Sequence, residues 1–270
     1  MIKQAIIPLA GQGTRLLPLT SVFAKELLPI NGKPGIEYIL DECITAGIKE
    51  VIFIISKKKR MIKDYFYNDT FYKRIIKKKK DIRIISEYKK ILKYKKMIKF
   101  VYQNKPLGTG DAILKSRKFI KDKFFLMLLP DDLIINNNCS KSMIKIHKKY
   151  KSSVMASMTV DKKTVSRWGI YKFKKKIDNE NFIISDVIEK PSKKNAPSNK
   201  AVIGRYILPK IIFSKLKHQK PSKGGEIHIT DSIRSLIKDK NKFVAHNFKG
   251  KYLDCGTLDG YIKSGLEISN

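Results

Sequence analysis

The stretch Ala10-Gly11-Gln12-Gly13-Thr14-Arg15 places two glycines, a hydroxyl and a guanidinium in one short loop. Small residues let backbone N–H groups approach anionic oxygens closely, and Arg15 adds a planar cation with several donors. Lys25 follows in Lys25-Glu26-Leu27-Leu28-Pro29, and Lys33 in Lys33-Pro34. Two loop lysines beside an arginine suit the neutralisation of a triphosphate during group transfer. The string is neither GxxxxGK[ST] nor GxGxxG, which argues against a P-loop NTPase and a dinucleotide dehydrogenase. On its own, GxGTR fits a structural strand-to-helix turn equally well.

The elements around the loop favour the phosphate reading. Lys3 to Pro8 is a short apolar run that reads as a buried strand feeding it. A helix is expected from Pro34 to Ala46, with proline near its first turn and Gly47 beyond its end. Glu50 to Ser56 is a second apolar strand run. Together these form a β-loop-α-β unit, the elementary piece of a doubly wound sheet. From Lys57 to Met97 the chain becomes basic, with Lys77-Lys78-Lys79-Lys80 in its middle, and is expected to be a helical excursion on the surface. Strands resume at Ile98 to Tyr102 and Phe124 to Leu129, with a helix from Asp111 to Arg117 between them. Further strand patterns cover Val154 to Val160, Gly169 to Phe173, Phe182 to Glu189 and Ala201 to Leu208. Helical patterns follow at Ile229 to Lys238 and Leu258 to Ile268. The expected fold is α/β: a Rossmann-like core with a mixed, mostly parallel sheet, continued by a smaller β-rich lobe.

Composition bounds the reading without deciding it. The 270 residues can bury one large core. No apolar run approaches bilayer length and the N-terminus has no signal-peptide pattern, so a soluble cytoplasmic protein is expected. Cys43, Cys139 and Cys255 lack CxxC spacing and the four histidines are scattered, which speaks against a disulfide framework and a zinc site. Lys and Arg number 58 against 24 Asp and Glu, a net charge of +34 that taken alone points to a polyanion partner. The excess is mostly lysine spread along the chain, without a stacking motif or helix-turn-helix pattern. Solvated faces are the expected reading, with no specific nucleic-acid partner.

GxGTRLLPLT followed by KELLPINGKP resembles the signature of the sugar-phosphate nucleotidyltransferases. Further matches follow in order: Gln103 with Leu107-Gly108-Thr109-Gly110, Leu129-Pro130-Asp131, Trp168-Gly169-Ile170, Val187-Ile188-Glu189-Lys190-Pro191, Ala196-Pro197-Ser198-Asn199, Gly204-Arg205-Tyr206, Gly225-Glu226-Ile227 with Thr230-Asp231, and Asp254-Cys255-Gly256. Any one is weak; their order makes the set specific. Within the family, the AG opening, APSN with GRY, GEIHITD and DCG are most similar to the bacterial branch that uses UTP and glucose 1-phosphate. The thymidylyl branch typically opens with GG.

The resemblance implies UMP transfer to glucose 1-phosphate within a single domain over 1–270. Its nucleotide-binding part would span about 1–135, its sugar-binding and C-terminal part about 136–270, and the basic excursion about 57–97. It assigns Arg15, Lys25 and Lys190 to catalysis. Ala10, Gly11, Gly13, Thr14, Gln103, Gly108 and Asp131, with Arg15 and Lys25, would bind nucleotide. Gly169, Glu189, Lys190 and Glu226 would bind the sugar. Asp131 and Asp254 would carry Mg²⁺, Pro130 fixing the register in favour of Asp131 over Asp132. A homo-oligomer is also implied. The chain departs from the branch in Thr20-Ser21-Val22-Phe23-Ala24-Lys25-Glu26, which lacks one lysine and one proline of TKAxPKE, and at Trp168, where tyrosine is usual. A thymidylyltransferase and a catalytically silent regulatory paralogue are the competing readings; intact GTR and GEI segments weigh against the second.

Overall fold

The computed structural model describes residues 2–269. Its strands are β1 Gln4–Pro8, β2 Pro29–Ile30, β3 Lys33–Pro34, β4 Glu50–Ile55, β5 Ile98–Tyr102, β6 Phe124–Leu128, β7 Asp132–Ile135, β8 Ser153–Thr159, β9 Gly169–Lys176, β10 Asn181–Glu189, β11 Lys200–Pro209, β12 Phe243–Asn247 and β13 Lys251–Asp254. The helices are α1 Gly35–Thr45, α2 Arg60–Tyr67, α3 Thr70–Lys79, α4 Ile82–Met97, α5 Thr109–Lys115, α6 Cys139–Tyr150, α7 Ile212–His218, α8 Ile229–Lys238 and α9 Leu258–Ser269. No described helix is long and apolar enough to cross a membrane.

Nine strands form one sheet in the order β5-β4-β1-β6-β11-β8-β12-β10-β9. The apolar runs are continuous because both faces are covered. Along β1, Ala5 and Ile7 join one core layer while Ile6 joins the other. The first layer packs Ile36, Ile39 and Leu40 of α1 with Phe66 of α2, Tyr94 of α4 and Met143 of α6. The second packs Ile113 of α5, Phe213 and Leu216 of α7, and Ile233 and Leu236 of α8. The expected basic excursion is α2 to α4, anchored on the first layer by buried Ile62, Phe66, Ile91 and Tyr94.

The sheet is mixed, but parallel pairing dominates only in its N-terminal half. Strands β5, β4, β1 and β6 run parallel, as do β8 and β12, whereas β11 is antiparallel to β6 and β8, and β10 to β12 and β9. The reason is local: β9 and β10 are joined by only 177–180, too short for the crossover that parallel strands need. Pro34 caps α1 from outside its first turn, and Gly47, at φ 85°, ends it. Strands β2, β3, β7, β12 and β13 and helices α6 and α7 lie outside the segments expected from pattern. The consequence for function is at one edge: the loops after β1, β5 and β6 all leave the carboxyl ends of parallel strands, where open α/β sheets form their binding crevices.

Candidate active site

The three loops meet around a cavity of about 440 Å³. Ala10, Gly11, Gln12, Gly13 and Thr14 line it from the loop after β1, with Lys25 and Glu26 further along. Gln103, Pro106, Gly108 and Thr109 line it after β5, and Leu129, Pro130 and Asp131 after β6. Gly13 adopts φ 71°, and its carbonyl accepts from the Thr20 hydroxyl at 2.8 Å, which folds the loop back on itself. Gly108 adopts φ 93°, and a Cβ there would stand 2.8 Å from the Ile227 carbonyl oxygen. That closeness locks two distant motifs together. Ile227 N–H donates to the Leu107 carbonyl at 2.8 Å, and Gly110 N–H to the Ile227 carbonyl at 2.7 Å.

Asp131 sits in the turn between β6 and β7. Its Oδ2 pairs with Lys25 Nζ at 2.7 Å and with exposed Arg15 Nη2 at 3.4 Å. Burial works against a charge on Asp131, yet Lys25 outweighs it and holds the carboxyl below its ordinary range. Lys25 shows the converse: burial alone would lower its pKa, and Asp131 reverses that to a net rise. Both groups are thus held in their charged forms.

Asp132 faces away from the cavity. Its Oδ1 accepts from the Tyr252 hydroxyl at 2.7 Å and its Oδ2 from Gly204 N–H at 2.8 Å. Burial, followed by the neighbouring Asp131 charge, pushes its carboxyl up to about 6. Two adjacent carboxyls therefore have different surroundings.

Asp254 reaches the site because β13 pairs antiparallel with β7, opposing Asp254 to Asp132. Cys255 N–H donates to the Asp131 carbonyl at 2.8 Å, and Gly256 N–H to Asp254 Oδ1 at 2.9 Å. A Cβ on Gly256 would stand 2.8 Å from Asp131 Oδ2, 2.8 Å from Arg15 Nη2 and 3.2 Å from Asp254 Oδ1. The missing side chain leaves a space edged by two carboxylates. Among the described residues no group of three or more His, Cys, Asp or Glu surrounds a common point. A pair of hard oxygen ligands fits magnesium, which keeps waters and takes substrate phosphates for its remaining positions.

The residues expected to bind sugar are not all gathered in one place. Gly169 and Glu189 oppose each other across β9 and β10, and a Cβ on Gly169 would lie 3.1 Å from Glu189 Oε2. Lys190 takes φ 47° and donates its N–H to the Trp168 carbonyl at 3.0 Å, with its side chain exposed and no acidic partner among the described residues. These three do not line the cavity. They connect to the turn that carries Asp131 through Trp168, whose ring meets Tyr252 edge-on at 5.7 Å, and Tyr252 donates to the neighbouring Asp132. Glu226 lines the cavity itself, its Cβ 3.0 Å from the Cβ position of Gly108. The structure thus groups it with Gln103 and Gly108 rather than with Gly169 and Glu189.

Supporting pairs were invisible in the sequence. Fully buried Arg205 makes a two-pronged contact with Glu42, Nη2 to Oε2 at 2.8 Å and Nε to Oε1 at 3.1 Å. Its Nη1 donates to the Leu129 carbonyl at 3.2 Å, so this pair braces the turn carrying Asp131. Lys59, in a run expected to be solvated, is buried, and Nζ reaches both oxygens of buried Glu26 at 2.8 Å. It fixes the residue next to Lys25. GRY and KE offered a signal for Arg205 and Glu26, but nothing marked Glu42 or Lys59 as their partners.

The family model for nucleotidyl transferases matches residues 4–270. A UTP–glucose-1-phosphate uridylyltransferase 2 of Streptococcus pyogenes is 36% identical over 273 residues, covering 99% of this chain and 90% of that protein. A crystal structure of UDP-glucose pyrophosphorylase complexed with UDP-glucose superposes with a TM-score of 0.88 at 36% identity, covering 100% of this chain and 99% of that one. The UTP-bound UGPase from Acinetobacter baumannii gives 0.90 at 30% identity, covering 99% and 93%.

Proposed function

The chain belongs to the nucleotidyl transferase family, and from that premise we propose that it transfers UMP from UTP to glucose 1-phosphate, giving UDP-glucose and pyrophosphate. The observation that carries this reading is the convergence of the glycine loop, Gln103 and the Lys25–Asp131 pair on one cavity. A phosphate oxygen of glucose 1-phosphate attacks the α-phosphorus of UTP. The new P–O bond forms as the bond to the bridging oxygen of the β-phosphate breaks, and its electron pair leaves with pyrophosphate. Such chemistry asks for positioning and charge neutralisation, not a covalent enzyme intermediate.

Lys25 and Arg15 hold the triphosphate and balance charge growing on it. Ala10, Gly11, Gly13 and Thr14 give it backbone access. Gln103 and Gly108 face the base. Lys190 holds the sugar phosphate, Glu189 accepts from sugar hydroxyls, and Gly169 leaves the sugar room. Glu226, in the cavity wall beside Gly108, faces the substrates, where its carboxylate would accept from sugar hydroxyls. Asp131 and Asp254 would hold magnesium, which when bound would supply charge neutralisation at the phosphoryl oxygens. We further propose self-association through α9, where Leu258, Ile262 and Leu266 form an exposed stripe at helical spacing; sedimentation of the chain and of Ile262→Asp tests it.

The transfer is tested with UTP labelled at its α-phosphate, glucose 1-phosphate and Mg²⁺. The label is expected in UDP-glucose. Label that remains in UTP with every sugar phosphate supplied would sink the proposal, and equal use of dTTP would shift it to the thymidylyl reading.

A further inference from the structure

We infer that Asp111 is a positioning residue for base selection: it holds the Gln103 amide so that only an acceptor is offered to the nucleobase. The inference rests on the uridylyl-transfer reading and goes beyond it in naming what sets the pyrimidine preference.

Gln103 follows β5, its N–H tied to the Ile55 carbonyl at 2.9 Å, and it is buried while lining the cavity. A primary amide offers two N–H donors on one side and an accepting oxygen on the other. Here Nε2 lies 2.8 Å from Asp111 Oδ2 and 3.2 Å from the Gly108 carbonyl. A carboxylate and a carbonyl both accept only, so the reverse orientation would set three acceptors against one another. The amino group must face them, and both its hydrogens are used. The Gln103 oxygen has no hydrogen-bond partner among the described residues and remains for a ligand.

Asp111 is itself built in. It is buried on the first turn of α5, and its second oxygen lies 3.3 Å from Lys115 Nζ, one turn along. Neither oxygen is left without a partner, so the carboxylate has no reason to rotate away from Gln103.

An acceptor fixed in the wall favours a base that presents a ring N–H there. Uracil and thymine carry that hydrogen on N3; cytosine carries a lone pair in the same position. Facing cytosine, Gln103 would set acceptor against acceptor in a buried place, and an unmet group of that kind costs about tenfold or more in affinity. Gln103 would thus exclude cytosine while leaving the choice between uracil and thymine to other contacts.

The test compares kcat/KM for UTP and CTP, with glucose 1-phosphate saturating, in wild type, Asp111→Asn and Lys115→Ala. An asparagine can donate to the Gln103 oxygen, which lets the glutamine amide turn its amino group toward the base. Asp111→Asn is expected to lower the UTP/CTP ratio at least about tenfold, mainly through KM, with kcat at saturating UTP changed little. Lys115→Ala, which keeps the carboxylate but frees one of its oxygens, should lower the ratio far less than Asp111→Asn does. A second measurement needs no variant: wild-type protein should bind 3-deaza-UTP, which has C–H in place of N3–H, about tenfold more weakly than UTP. An unchanged ratio in a folded Asp111→Asn, or equal binding of the deaza analogue, would overturn the inference. Wild-type protein that uses neither pyrimidine triphosphate would instead overturn the uridylyl-transfer reading on which it rests.

Discussion

Lys25 Nζ and Asp131 Oδ2 stand 2.7 Å apart although 106 residues separate them in the chain. One arrives from the loop after β1 and the other from the turn after β6, so the contact exists only once the parallel strands have paired. It pairs two opposite charges at the cavity floor. On the proposed function, Lys25 would turn to the triphosphate, and Asp131 would be left to hold the metal with Asp254. Lys25→Met should therefore lower kcat by about a hundredfold or more, as loss of one transition-state charge contact does. Melting temperature should move far less than activity. Steady-state kinetics beside thermal unfolding checks this, and an unchanged kcat would remove Lys25 from the transfer step.

Gly256 should tolerate no side chain. A methyl group there would press on Asp131 Oδ2 and Arg15 Nη2 at 2.8 Å. We expect Gly256→Ala to fold, to need several-fold more Mg²⁺ for half-maximal rate, and to lose most turnover at low metal. A metal titration of the initial rate reads this directly, and a wild-type titration curve would show that the space between the two aspartates is not used.

The Arg205–Glu42 pair predicts a stability effect with a diagnostic recovery. Removing Arg205 alone leaves Glu42 buried and unpaired, at a cost of about 3–5 kcal/mol. Replacing both, as Glu42→Leu with Arg205→Met, removes the stranded charge and should recover much of that loss. Urea unfolding of the single and double variants measures it. Because Arg205 also holds the Leu129 carbonyl, the double variant should regain stability more fully than activity.

Acid sensitivity should come in part from His246. Its Nδ1 meets Asn181 Oδ1 at 2.9 Å across the β10–β12 pairing, and burial lowers its pKa below the ordinary 6.5. The unfolded chain then takes up the proton first as pH falls. His246 therefore favours the folded state above about 6.5 and loses that contribution as pH drops from there toward its folded value. His246→Gln should flatten the pH dependence of unfolding free energy between pH 7.5 and 5.5. An equal slope in the variant would place the acid sensitivity elsewhere.

These expectations separate what sequence carried from what only the fold supplies. The strand run Glu50–Ile55 was legible because every residue after Glu50 is apolar and buried, and Ile98–Tyr102 because four of its five residues are apolar. The loop residues Gly11, Gly13 and Lys25, and the carboxylates Asp131 and Asp254, were legible through ordered motifs. Lys59 was not: its neighbours Lys57 and Lys58 are solvated, and only the approach of α2 to the loop after β1 brings it to Glu26. Nor was the mixed pairing of the C-terminal half of the sheet, since β12 slots between β8 and β10 from far along the chain. The placement of Glu226 beside Gly108 followed from the Leu107–Ile227 backbone bond, which no spacing rule announces.

A cavity that joins a nucleoside triphosphate to a sugar 1-phosphate must release pyrophosphate. Its release by the purified chain with UTP, glucose 1-phosphate and Mg²⁺ measures this transfer most directly. Steady release that requires both substrates and nearly disappears in Asp131→Ala is expected; no release from any combination of nucleoside triphosphate and sugar phosphate would remove this transfer from the cavity.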